Sequence, residues 1–151
     1  MKRFVILASL LVLAGSVFAG VDSARPVELV HAKVLRDFVL RFDEVSYARW
    51  MPDSKGSTMY FIKDGFQSRA VYDVNGRWKY SLMLYGESKL PRDIRAVVKR
   101  QYFDLGITVV QEVQSIDGKV YLVHLEDEST IRIVRVNTEG EMETMEEFCK
   151  Q

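Results

Sequence analysis

The stretch whose reading decides the fold is Ser57-Thr58-Met59-Tyr60-Phe61-Ile62-Lys63-Asp64-Gly65-Phe66-Gln67-Ser68-Arg69-Ala70-Val71-Tyr72-Asp73-Val74-Asn75-Gly76-Arg77-Trp78-Lys79-Tyr80-Ser81-Leu82-Met83-Leu84-Tyr85. Three runs rich in aromatic and β-branched residues are separated by two turn dipeptides, Asp64-Gly65 and Asn75-Gly76. Such dipeptides accept the positive φ angles of two-residue hairpin turns, so the spacing predicts a three-strand antiparallel meander. In the third strand Trp78, Tyr80, Leu82 and Leu84 alternate with Arg77, Lys79, Ser81, Met83 and Tyr85. Successive side chains of a strand point to opposite faces. The first set is therefore expected against a helix, and the second on a face at least partly open. This assignment hangs on register, because a one-residue slip exchanges the two sets.

Upstream, Val30, Val34, Leu35, Phe38 and Phe42 recur at helical spacing behind Pro26, a residue tolerated in a first helical turn, and predict an amphipathic helix over residues 27–42. Residues 45–50 read as a strand closed by a loop over 52–56. Downstream, 86–89 is a turn and Pro91 marks a second helix with the stripe Ile94, Val97, Val98, Tyr102 and Leu105, ended by Gly106. Four more strands are expected over 107–116, 119–125, 130–136 and 141–148, with turns at Asp117-Gly118, Glu126 to Ser129 and Glu139-Gly140. The last strand is acidic, which discourages edge-to-edge pairing with another molecule.

The two halves lie against each other at an offset of 64. Residues 70–78 then fall on 134–142, Val34 on Val98, Phe38 on Tyr102 and Val45 on Val109. The pattern predicts an α+β fold of two tandem α-β4 units, about 27–86 and 90–148, with an antiparallel sheet and both helices packed on one face. One irregular α+β domain without a repeat is the other architecture that this pattern admits.

The N-terminus bears on compartment. Lys2 and Arg3 precede an apolar run from Phe4 to Leu13, and Val17-Phe18-Ala19 places small residues where a signal peptidase cuts. Residues 1–19 are thus expected to be a signal peptide and 20–151 a single mature domain; an uncleaved N-terminal anchor is the alternative. Ser16 stands where a lipoprotein box needs cysteine, so a soluble periplasmic or secreted protein without a lipid anchor is expected. No later segment is long and apolar enough to span a bilayer. Of 21 basic and 21 acidic residues, two basic ones fall in the signal. The near-neutral remainder lacks the concentrated positive patch that nucleic acid requires. Cys149 is the only cysteine, so no internal disulfide can form and the core must supply stability. It is read as a thiol near a frayed end, or as one half of an intermolecular disulfide.

No catalytic or metal-binding set emerges, and no cofactor is expected. His31 has no second ligand at helical spacing, and the chain has no Gly-rich phosphate cradle and no Gly-x-Ser-x-Gly. His124 and Glu126 share a strand face, which more often marks a surface pair than a site. Glu126-Asp127-Glu128 lacks the glycine and spacing of a calcium loop.

With the export signal, the spacing Trp50…Tyr60…Ala70-x-Tyr72…Gly76-x-Trp78…Leu90-Pro91…Tyr102 and the repeated α-β4 pattern, the chain resembles the PepSY-like, beta-lactamase-inhibitor-like family over roughly residues 27–142. The resemblance implies a small exported non-enzymatic domain. Related PepSY domains accompany secreted peptidases as inhibitory pro-regions, and the beta-lactamase inhibitory protein uses the open face of a similar sheet. The function expected is therefore an exported binding protein, an inhibitor or modulator of a secreted or envelope protein such as a peptidase. The alternative is a small-ligand carrier with a pocket between helix and sheet. Trp, Tyr and Arg dominate interface energetics, and Arg69, Arg77, Lys79 and Tyr85 are the residues expected on the partner-binding face.

Overall fold

A computed structural model describes residues 27–150; the export signal read over 1–19 and the segment to Pro26 lie outside the described residues. The chain runs α1 (Val27–Arg41), β1 (Val45–Asp53), β2 (Gly56–Lys63), β3 (Phe66–Asp73), β4 (Trp78–Tyr85), a 3-10 turn (Glu87–Lys89), α2 (Arg92–Gln101), β5 (Gly106–Ser115), β6 (Gly118–Glu126), β7 (Thr130–Asn137) and β8 (Met142–Cys149). The eight strands form one antiparallel sheet in sequence order, so every strand pairs with its neighbours in the chain. The class is α+β, as the element pattern predicts. The order helix then four strands occurs twice.

Local chemistry sets each turn. Asp64 (φ 53°) and Gly65 (φ 80°) are both left-handed, and Lys63 pairs directly with Phe66, so this is the expected two-residue turn. The Asn75-Gly76 turn is longer than expected. Gly76 alone has positive φ (69°), and the Asp73 amide donates to the Arg77 carbonyl across a three-residue loop. The Asp73 carboxylate accepts from the amides of Asn75 and Arg77 at 2.8 and 2.9 Å, satisfying the turn without a second left-handed residue. The β7–β8 turn repeats this arrangement. Asn137 Oδ1 accepts from the amides of Glu139 and Glu141, and the Gly140 amide donates to the Asn137 carbonyl as Gly76 does to Asp73.

Three boundaries move. β1 continues through Pro52 and Asp53, which pair with Ser57 and Gly56, leaving only Ser54-Lys55 as the turn. Proline is admissible there because β1 is an edge strand. The β5–β6 turn is Ile116-Asp117, with Gly118 opening β6 opposite Ser115. α2 ends at Gln101, and Gly106 begins β5.

Both helices lie on one face of the sheet, each over its own core. Val34 and Phe38 of α1 are buried with Met59, Phe61, Ala70 and Tyr72, and Val30, Phe42, Trp50 and Trp78 pack around them. Ile94 and Val98 of α2 are buried with Val110, Tyr121, Val123, Leu125, Val134 and Val136. Leu35 leaves the expected stripe and is exposed. The apolar contact of α1 follows the i, i+4 line of Val30, Val34, Phe38 and Phe42, and Leu35 falls beside that line.

The assignment of faces on β4 changes at one residue. Tyr72 pairs with Trp78, but Val71 pairs with Tyr80, so Lys79 is the extra residue of a β-bulge. Trp78 keeps its expected place against the helix layer. Beyond the bulge the alternation inverts. Ser81, Met83 and Tyr85 lie opposite Ala70, Ser68 and Val110 on the helix-covered face, while Tyr80, Leu82 and Leu84 turn to the opposite face.

Candidate protein-binding face

The face opposite the helices can be followed strand by strand through the register. One row runs Arg49, Tyr60, Arg69, Leu82, Val113, Val120, crossing β1 to β6. A second runs Leu84, Gln111, Leu122, Arg135, Glu143 across β4 to β8. A third runs Val109, His124, Ile133, Glu146 across β5 to β8. Tyr60 (45% exposed) and Leu84 (39%) are open to solvent, and Leu82 is buried among its neighbours. No described residue outside the sheet belongs to these rows.

Tyr60 sits between Arg49 and Arg69, and a depression of about 270 Å³ lies beside it, lined by Tyr60, Gln67, Arg69, Leu82, Leu84 and Gln111. Arg69 Nε is buried there and has no hydrogen-bond partner among the described residues. A guanidinium offers five donors in a fixed fork suited to a carboxylate. The residues around it provide apolar walls and two amide side chains, and none of them carries a negative charge. Gln111 also approaches His124, with Nε2 to Nε2 at 3.2 Å.

The four residues expected on the binding face do not converge. Arg69 is on it. Arg77 is exposed in the β3–β4 turn and Lys79 is exposed in the bulge, both away from the depression. Tyr85 is 5% exposed and lies under the helix layer, so it is not a surface contact. The bulge at Lys79 is the reason, since it turns Tyr85 inward and brings Tyr80, Leu82 and Leu84 out. Tyr60, Leu84 and Gln111 complete the site, and sequence alternation in β2 is the signal by which Tyr60 could have been placed opposite Met59 and Phe61.

Tyr85 instead builds a polar cluster within the covered face. Its hydroxyl donates to Glu112 Oε2 at 2.7 Å, and Glu112 also pairs with Lys119. Burial, then the bond to Glu112 and its negative charge, hold the Tyr85 proton well above the ordinary tyrosine value of 10.0. The bond to Glu112 likewise raises Lys119, and burial followed by the Asp37 carboxylate raises Tyr72. Each group binds its proton more tightly folded than unfolded. The contribution of these three groups to stability is therefore level below their unfolded values, and it falls as pH climbs above about 10. Melting temperatures at successive alkaline pH values should show that fall, and Tyr85→Phe should make it shallower. An unchanged alkaline slope in the variant would refute the assignment.

The histidines are far from forming a pair. His31 stacks on Trp50 with ring centroids 4.0 Å apart, and His124 lies on the open face of β6. Cys149 is exposed on β8. The β8 edge carries the expected acidic residues, and β1 is bulged around Tyr47, which has a φ of 52° and is 88% exposed. A bulge at an edge hinders further strand pairing.

An eight-stranded antiparallel sheet with two helices on one face and an aromatic, arginine-flanked surface on the other defines the class of molecule. No family model matches the chain, and no curated protein matches it. Solved structures do. A BLIP-like protein from Bacteroides fragilis superposes with a TM-score of 0.66 at 11% identity, covering 78% of this chain and 84% of that one. A DUF2874 family protein from Bacteroides uniformis gives 0.64 at 15% identity, covering 78% and 88%. A chain from Bacteroides eggerthii, named for a periplasmic location, gives 0.63 at 12% identity, covering 78% and 86%. At these identities the likeness shows the fold alone, and that fold is BLIP-like.

Proposed function

We propose that this chain is an exported, non-enzymatic binding protein of two tandem α-β4 units, which modulates a secreted or envelope protein by engaging it with the open face of its sheet. The observation that carries the reading is the row Arg49–Tyr60–Arg69–Leu82 beside a depression in which Arg69 Nε lacks a partner among the described residues. Buried donors are nearly always satisfied, and interface energy concentrates on Tyr, Trp and Arg seated in desolvated pockets. The partner fitting this face presents an apolar knob and a carboxylate, the one to the depression and the other to the Arg69 fork. A peptidase or another hydrolase is the partner class the sequence resemblance favours. The periplasmic name of one structural neighbour and the export signal support an extracytoplasmic setting. The matching hydrogen bonds of the Asp73 and Asn137 turns support the tandem unit.

Capture from an envelope extract tests the face. Arg69→Glu combined with Leu84→Arg should abolish capture of a partner held by the unaltered protein, a loss of at least about 30-fold in affinity for a two-residue hot spot. Arg77→Glu with Lys79→Glu should leave it nearly unchanged. Equal capture by the first double variant, with its melting temperature intact, would sink the proposed face.

A further inference from the structure

A second concavity lies on the other side of the sheet, where α1 leaves the β1–β2 hairpin partly uncovered. It is a half-open cleft of about 140 Å³, lined by Val30, Trp50, Pro52, Asp53, Gly56, Ser57 and Val74. Most of its wall is apolar. Two polar atoms of lining residues are nevertheless buried and unpartnered among the described residues, Trp50 Nε1 and Ser57 Oγ. Ser57 is only 2% exposed. These two residues stand diagonally across the β1–β2 ladder on the helix-covered face, since Trp50 pairs with Met59 and Pro52 with Ser57. His31 stacked flat on Trp50 holds the indole in place.

We propose that this cleft binds a small, neutral, mostly apolar molecule carrying one carbonyl-type oxygen. Volume sets the size. An engineered apolar cavity of about 150 Å³ accommodates benzene, so a single ring or a short branched chain fits here. The polar atoms set the chemistry. An indole N–H only donates, whereas a serine hydroxyl donates or accepts, so an acceptor oxygen can serve either atom and an ammonium group, which only donates, cannot serve the indole. Asp53 at the rim sets the charge, because its carboxylate would repel an anionic ligand. Each buried polar group left unmatched is costly, and a ligand oxygen that meets either atom removes that deficit. The binding-face proposal plays no part in this inference, because the cleft opens on the opposite side of the sheet.

Cyclohexanone and benzene are the probes, read by the two indole N–H resonances of isotope-labelled protein, with Trp50→Phe identifying which belongs to Trp50. Cyclohexanone should move the Trp50 resonance saturably, and benzene should bind roughly tenfold more weakly, the worth of the hydrogen bonds it cannot accept. Ser57→Ala should weaken cyclohexanone by a similar factor while the protein melts no lower, because it removes an unpartnered hydroxyl. Val74→Trp, at an exposed rim position, should block the cleft and abolish the response. A Trp50 resonance unmoved up to the solubility of cyclohexanone would overturn the proposal. So would equal affinity for benzene, or a cyclohexanone response unchanged by both Ser57→Ala and Val74→Trp.

Discussion

Phe38→Ala is expected to destabilise the fold by about 3–5 kcal/mol, the range for emptying a buried aromatic site. Phe38 is 2% exposed, and its ring meets Phe61 edge-on with centroids 4.9 Å apart and Phe42 at 5.2 Å. Phe42 and Phe61 also touch each other, so the three rings form a closed cluster joining α1 to the sheet. Removing the central ring leaves a void that α1, held along one line of side chains, can only partly close. For a domain of this size the loss corresponds to a melting temperature lower by roughly 10–20 °C. Leu40 on the same helix is 80% exposed, and Leu40→Ala should stay within about 0.5 kcal/mol. Equal melting of the two variants would mean that α1 does not pack as described.

Gly56→Ala is expected to cost about 3 kcal/mol or more, through backbone strain and collision. At Gly56 φ is 147°, a region closed to side-chain-bearing residues, and an added Cβ would lie 2.0 Å from the Tyr72 carbonyl oxygen. That oxygen belongs to the neighbouring β3 backbone and cannot move without breaking the β2–β3 ladder. Gly65→Ala makes the contrast. Gly65 also has positive φ (80°), but nothing lies within 4 Å of its Cβ position. It should therefore cost only the left-handed penalty of about 1–2 kcal/mol. Denaturant titration of both variants separates the two causes, and similar losses would argue that collision at Gly56 is relieved by a shift of the strand.

Much of the fold was legible because its signals are local. The eight strands and two helices follow from period-2 and period-3.6 patterns punctuated by Gly, Asn and Asp, and each is present close to its expected span. The open face of the sheet was not legible in the same way. Arg69 lies on the open face, whereas Tyr85 was expected outside and lies inside, and Leu82 and Leu84 were expected inside and lie on the open face. A single bulged residue, Lys79, separates the two outcomes, and nothing in the run Trp78-Lys79-Tyr80-Ser81-Leu82 distinguishes a bulged strand from a regular one. A pocket between helix and sheet was an admitted alternative, but its place beside Trp50 depends on how α1 lies over the β1–β2 hairpin.

By itself, the order of residues determined the class of fold, the number of elements and the positions of most turns, because hydrophobic periodicity and turn chemistry act over a few neighbouring residues. Tertiary structure alone decided which face of β4 is covered, which polar atoms lack partners and which side chains meet on the open sheet. Those outcomes depend on cross-strand register, and register is settled by the packing of residues distant in the chain rather than by any one strand.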